Sequence, residues 1–384
     1  MRKGFYFFLV AVLICALSLT GCFSPWKGDE GNLVIVWGSS GRTRNFVDES
    51  ELQDFIYTVK LTGPGGVIEQ EFSGVPSAVF SVIPGIWNVS IRGSQIGNIR
   101  ELRVMGIGQV TVKAGQKSRE EINIYSAQEA SDWWELSSLA NDGRFPSGIA
   151  REYLIVIKNS LVTDIAYPSS LGTINISRKI ILVAERPVTI TRGSGFDGSF
   201  FSVYDPGKLT LGLPGMNGTI TFDGENSGYN SAFIVGAPGE LVMFDGVTIK
   251  HNIVRSGGGA VFIGQPDGIF TMNGGMISGN TAGDGSTTGR GGAVYNYGVF
   301  TMNGGTISGN AALSGNESAG RGGGVYNENT FTMKGGTISG NTALNNTAAD
   351  GQGGGVFSLS YAFFDKSGGT ISGNSPDNVY KEVP

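Results

Sequence analysis

Residues 291–310 read Gly291-Gly292-Ala293-Val294-Tyr295-Asn296-Tyr297-Gly298-Val299-Phe300-Thr301-Met302-Asn303-Gly304-Gly305-Thr306-Ile307-Ser308-Gly309-Asn310, and the stretch returns along the chain. Its first part recurs as Gly258-Gly259-Ala260-Val261-Phe262, Gly322-Gly323-Gly324-Val325-Tyr326 and Gly353-Gly354-Gly355-Val356-Phe357. Its second part recurs at 270–280, 331–341 and, more loosely, 364–374. Isoleucines at 277, 307, 338 and 371 set intervals of 30, 31 and 33 residues, and a degenerate copy at 241–252 carries Ile249. A fixed period of this length marks a stacked repeat. Each unit predicts one coil of a right-handed parallel β-helix, with coils about 4.8 Å apart.

No single coil can bury its own apolar face, so stacking must put like on like. Val261, Val294, Val325 and Val356 then form one column, Ile277 and its equivalents a second, and Phe270, Phe300, Phe331 and Phe364 a third. Glycine turns the chain at corners that need positive φ, and Asn280, Asn310, Asn341 and Asn374 suit a ladder of amide hydrogen bonds. The polar segments 281–289, 311–320 and 342–352 leave as loops on one side, where repeat insertions mark a binding face.

The paired motifs Gly-Gly-Ala-Val and Phe-Thr-Met-Asn resemble the repeats of chlamydial polymorphic outer membrane proteins, over about 245–374. That resemblance implies a β-helical adhesin of the autotransporter type. Later copies drift to Gly-Gly-Gly-Val and Phe-Thr-Met-Lys, and no C-terminal barrel is expected after Asn374. A lipid anchor is the expected replacement.

The 384 residues include 63 Gly, half of them after residue 256, with 40% apolar and only 15% charged side chains, against about 25% charged in an ordinary domain. This composition argues against a helical domain, a disordered polyanion and a membrane bundle. With 27 basic and 32 acidic groups the chain is mildly acidic. It lacks the basic footprint that phosphate neutralisation requires, so no nucleic-acid partner is expected. No motif calls for a cofactor.

Residues 1–22 read as an export signal: Arg2 and Lys3, an apolar run over 5–19, then Leu19-Thr20-Gly21-Cys22. The last four residues resemble the lipobox of bacterial lipoproteins, which implies lipid attachment at Cys22 and membrane anchorage. Phe23 stands where an Asp would imply inner-membrane retention, so the resemblance points to the outer membrane or cell surface. Residues 23–31 read as a tether. Over 32–126, short alternating runs rich in Val, Ile and aromatics predict an antiparallel β-sandwich. Its Pro84-Gly85 turn and Trp87 strand resemble small immunoglobulin-like or prealbumin-like modules of secreted proteins, which imply a spacer or a sugar binder. Trp37 and Trp87 read as core.

The remainder, 127–384, is assigned to the β-helix, with irregular coils before 250 and repeats of about 31 residues from 256. Asp132 and Glu135 suit a capping box, and a helix over 131–142 is expected to cover the open first coil, with Trp133 and Trp134 in packing roles.

For chemistry, Phe222-Asp223-Gly224 and Phe244-Asp245-Gly246 lie 22 residues apart, close to one coil. Stacked carboxylates there would hold Ca²⁺ or act as an acid and base pair, the enzymatic alternative being a polysaccharide lyase or hydrolase. Aspartate before glycine is also ordinary turn chemistry. His251 falls at the position of Gly279, at a coil corner. Arg290 and Arg321 precede successive Gly-Gly pairs and are placed one above the other, as a bridge for an anionic sugar or as splayed surface groups. Phe262, Tyr295, Tyr326 and Phe357 alternate with the inward valines and therefore point outward, as a contact stripe or a stabilising stack. The expected function is surface binding to a polysaccharide or to a cell-surface protein, with a purely structural envelope role as a further alternative.

Overall fold

Each repeat folds into four short strands, as at Val294–Asn296, Val299–Met302, Thr306–Ser308 and Ala311–Ala312, and successive repeats lie in parallel register. The computed structural model describes residues 30–37, 55–95, 104–141, 152–163, 172–264, 266–316, 318–344 and 351–383. The signal segment, its Cys22 and the tether through residue 29 lie outside the described residues.

Val261, Val294, Val325 and Val356 pair in sequence as one ladder. Phe270, Phe300, Phe331 and Phe364 form a second, and Ile277, Ile307, Ile338 and Ile371 a third. The degenerate copy joins them, with Leu241 against Phe270 and Ile249 against Ile277. Residues 127–372 thus form a parallel β-solenoid of right-handed type with about 7 turns, in a chain that is otherwise all-β. Val294, Phe300 and Ile307 are wholly buried. Burial of such side chains is worth about 1.5–3 kcal/mol each, a gain available only when coils lie above and below. The Phe rings stack nearly parallel, Phe270 on Phe300 at 5.0 Å and Phe300 on Phe331 at 4.7 Å between centroids.

Polar ladders run beside these columns. Asn280 Nδ2 donates to Asn310 Oδ1 at 3.0 Å, Asn310 Nδ2 to Asn341 Oδ1 at 2.9 Å and Asn341 Nδ2 to Asn374 Oδ1 at 2.9 Å. A second ladder, Asn296 to Asn327 to Ser358, is buried below the valine column. The loops after Ala282 and Ala312 also rest on one another, as Asn316 N donates to Ser286 O.

The upstream coils are less regular in sequence because bulk replaces repetition in the lumen. Phe200, Phe201, Phe222 and Phe233 fill it, with Phe222 and Phe233 edge to face at 4.9 Å. The first coil is covered by helix α1 (Trp133–Asn141). Asp132 Oδ1 accepts from Glu135 N at 2.7 Å, the first half of the expected capping box, while Glu135 Oε2 accepts from Ser131 N at 2.8 Å, one residue before the amide the box would use. Trp133 packs edge-on against Phe196, Phe200 and Phe201. Trp134 corrects the expectation: it is 60% exposed, since neighbouring residues on a helix cannot share its buried stripe.

Upstream lie β1 (Gly31–Trp37), β2 (Phe55–Gly63), β3 (Gly66–Ser73), β4 (Ser77–Val82), β5 (Gly85–Gln95), β6 (Val104–Val112), β7 (Lys117–Ile122) and β8 (Tyr125–Ala130). One sheet runs β4-β1-β7 and the other begins β3-β2-β5-β6. Leu33, Tyr57, Trp87 and Val89 belong to one shared core, and Trp37 and Trp87 are buried in it. The pairing departs from the expected antiparallel module in two ways. β1 runs parallel to β7. The second sheet does not stop at 126, because β6 pairs with β8, and β8 pairs in parallel with the first long solenoid strand, Glu152–Ile157. Alternation specifies which residues face the core, not which neighbour a strand joins or in what direction. β3 turns only Ile68 and Phe72 toward the core, with Gln70 between them, so its alternation is too weak to read and the strand is absent from the expected runs.

Candidate ligand-binding face

The three-residue strands of the valine ladder point their first and third side chains into the solenoid and their middle one out. Parallel register then stacks Phe262, Tyr295, Tyr326, Phe357 and Tyr380 on the outer surface. Consecutive ring centroids are 5.2, 5.2, 5.1 and 5.3 Å apart. Tyr326 on Phe357 and Phe357 on Tyr380 are within 7° of parallel.

Arg290 and Arg321 do stand one above the other, in a run of backbone bridges from Gly257 through Arg290 and Arg321 to Gln352. Their side chains avoid each other by reaching one coil onward. The Arg290 guanidinium lies 5.6 Å from the Tyr326 centroid and that of Arg321 lies 5.1 Å from Phe357, within cation–π range. Tyr295 Oη donates to Glu328 Oε1 at 2.9 Å. Burial, with the Glu328 carboxylate close by, raises the Tyr295 phenol and takes that of Tyr326 to about 12. For Arg290, the phenols of Tyr326 and Tyr295 and the Glu328 carboxylate outweigh the opposing effect of burial and favour the charged form.

The column is not an open stripe along its whole length. Tyr326 and Phe357 are buried under Leu359 and Ala362. Those two residues belong to the insertion that lengthens the last repeat interval to 33 residues. The reachable surface is therefore Phe262, Tyr295 and the two guanidinium groups, extended by residues the repeat did not flag. These are Tyr297, 5.9 Å from Tyr295; Tyr361, 74% exposed on the insertion; and exposed Arg255, held 4.4 Å over Tyr229 at the upstream end. The insertion length was the available signal for Tyr361; nothing in the repeat distinguished Tyr229 or Arg255. The arginines of this face are set among carboxylates, with Glu328 near Arg290 and Tyr361, Glu382 also near Tyr361, and Asp284 near Arg255. Tyrosine and arginine combine contact area, few rotatable bonds and charged donors, the composition of interface anchors.

The aspartate pair is not a stacked pair. Asp223 ends up beside Lys250, because Phe222 pairs with Ile249. Asp245 precedes that same strand at the opposite corner, where its Oδ1 accepts from Gly275 N at 3.0 Å as a turn cap. The 22-residue spacing joins different faces of adjoining coils. Among the described residues no group of three or more His, Cys, Asp or Glu side chains is placed to hold a metal ion.

Asp223 instead organises a small cluster. Lys250 Nζ lies 2.9 Å from Oδ2 and His251 Nδ1 lies 3.1 Å from Oδ1. Burial would raise the carboxyl, but Lys250, the Glu225 amide and His251 together hold it below its ordinary value. His251 has φ 53°, against 63° at Gly279, Gly309 and Gly340, so it occupies the corner position that every later coil gives to glycine.

Comparison with protein-family models, with curated proteins and with solved structures finds no match to this chain.

Proposed function

We propose that the chain is a cell-envelope lipoprotein that binds a surface ligand through the arginine and aromatic face of its solenoid. In this reading Cys22 carries the lipid, and the N-terminal sheets, read as an immunoglobulin-like or prealbumin-like sandwich, act as a spacer. The likeness of the repeats to adhesin repeats sets the class. The observation that carries the reading is the ladder in which Arg290 and Arg321 each lie over the ring of the next coil, with Tyr295, Tyr297 and Tyr361 reachable beside them. Its two guanidinium groups favour an acidic polysaccharide or the acidic surface of another cell's protein.

The test is retention of the full chain on immobilised neutral and anionic polysaccharides and on intact cells. Retention on an anionic polymer or on cells, lost in Arg290→Ala/Arg321→Ala with native circular dichroism, supports the reading. Retention unaffected by that double variant overturns the site. Fatty-acid labelling of wild type but not of Cys22→Ser tests the anchor.

A further inference from the structure

A second concavity lies away from this face, between the N-terminal sheet and the solenoid. It measures about 480 Å³, within the range of roughly 300–1,000 Å³ usual for small-molecule sites, which favour boundaries between structural units. Its floor is the outer surface of β2, β5 and β6. Two rows of cross-strand neighbours line it: Lys60, Ser90 and Ile107 in one, Thr58, Arg92 and Met105 in the other. The opposite wall is solenoid, with Glu185 and Asn217.

We propose that this cleft is a binding site for an uncharged oligosaccharide. The charges are balanced and already engaged. Arg92 contacts Glu185 and lies 2.6 Å from Glu129, Lys158 shares Glu129 at 2.7 Å, and Lys60 faces Glu69 at 3.8 Å. A phosphate, carboxylate or cationic ligand would have to separate one of these pairs and leave a partner uncompensated. An extended peptide gains little either. The floor is a sheet face, and the backbones of β2 and β5 are paired on both edges, so no ladder is open for strand addition.

What the cleft does offer is hydroxyls from Thr58 and Thr62, an amide from Asn217 and the outer lone pairs and protons of ion pairs, set beside the apolar side chains of Val67 and Ile107. Donors and acceptors of both kinds around a C–H surface match a sugar ring, which carries hydroxyls at its edge and C–H groups on its face. The walls are fixed before any ligand arrives. β6 continues through β8 into the solenoid. Leu213 and Met216 of the solenoid and Ile107 of β6 pack against one apolar cluster that includes Met105, and Asn88 bonds Asn217 at 3.3 Å. Such preorganisation lowers the ordering cost of binding.

The experiment titrates the full chain, in detergent, with defined neutral oligosaccharides of two to six units, with uronic-acid oligosaccharides and with neutral polar peptides as comparisons, by calorimetry. The expected result is saturable binding of a neutral oligosaccharide, at least tenfold weaker in Lys60→Ala and in Thr58→Tyr, which fills the cleft, and unchanged in Arg290→Ala/Arg321→Ala. A readout free of substitution accompanies it: the bound saccharide should protect Lys60 from acetylation, measured by mass spectrometry. Absence of neutral-saccharide binding, binding only to uronic acids or peptides, or binding without protection of Lys60 overturns the proposal. The double arginine variant separates this site from the solenoid face, so either can fail alone.

Discussion

Arg192 and Asn252 meet at the head of the amide ladder: Nη2 of the arginine donates to Oδ1 of the asparagine at 3.3 Å, and both are buried. From Asn252 the chain of amides descends through Asn280, Asn310 and Asn341 to Asn374, whose Nδ2 ends on Asn378 Oδ1 at 3.1 Å. The ladder therefore has a cationic donor at one end and a substitute acceptor at the other. Burial lowers the Arg192 guanidinium to about 10, against an opposing pull from Asp197, and it still titrates far above neutrality. Replacing Asn310 by Ala strands Asn280 N, which donates to Asn310 Oδ1. It also takes away the Nδ2 donor that reaches Ile277 O, Ser308 O and Asn341 Oδ1 inside the stack, of which Asn341 Oδ1 keeps the backbone amide of residue 310. The cost of leaving buried groups unpaired predicts a loss of about 3 kcal/mol, read as a lowered urea midpoint. Asn374→Ala, at a half-exposed coil, should lose less than half as much.

Asp223 gives the solenoid an acid-sensitive corner. Its native carboxyl titrates below the ordinary value, burial being outweighed by Lys250, the Glu225 amide and His251. As pH falls the unfolded chain takes up the proton first, near pH 3.9. The stabilisation is thus complete above that pH and lost below it, as the native group titrates. Asp223→Asn should be less stable than wild type at pH 6 and converge on it between pH 4 and pH 2. Parallel pH–stability curves would show that the carboxylate contributes nothing.

Adjacent tryptophans on α1 should respond oppositely. Trp133 meets three phenylalanine rings at the end of the lumen, so Trp133→Ala opens a cavity over the first coil and should cost about 3–5 kcal/mol. Trp134 is 60% exposed, and Trp134→Ala should stay within about 0.5 kcal/mol. Thermal unfolding followed by far-ultraviolet circular dichroism distinguishes them.

The solenoid was legible because its energetics are one-dimensional: each coil meets only its neighbours, so the same residue types must recur at the same interval. Val294, Phe300, Ile307 and Asn310 could be assigned to columns from spacing alone. Asp223 and Asp245 were misplaced because spacing in a solenoid is informative only once a whole coil is known, and the coils near 220 repeat in shape, not in sequence. Tyr326 and Phe357 were correctly turned outward, yet their burial depends on an insertion whose path no periodicity encodes. The cleft beneath Arg92 was invisible for a related reason. Its lining comes from strands far apart in the chain, and charges such as Glu129 and Glu185 acquire partners only at the junction where the N-terminal strands meet the solenoid.

That junction makes the last prediction. Gly215 has φ 86°, and a Cβ on it would stand 2.0 Å from the Gly108 carbonyl oxygen. The solenoid loop can approach β6 this closely only without a side chain, and Leu213 and Met216 beside it pack against the apolar cluster that includes Met105. Gly215→Ala is strained both by its backbone conformation and by the clash, and relief requires the loop to lift from the sheet. The direct sheet connection through β8 would remain. Amide hydrogen exchange should accelerate in β6 and in the loop at 212–217, while the ladder at 270–341 keeps its protection. Loss of protection through the whole solenoid would mean that the two parts form one cooperative unit; unchanged exchange at β6 would mean that the docked loop does not hold the sheet.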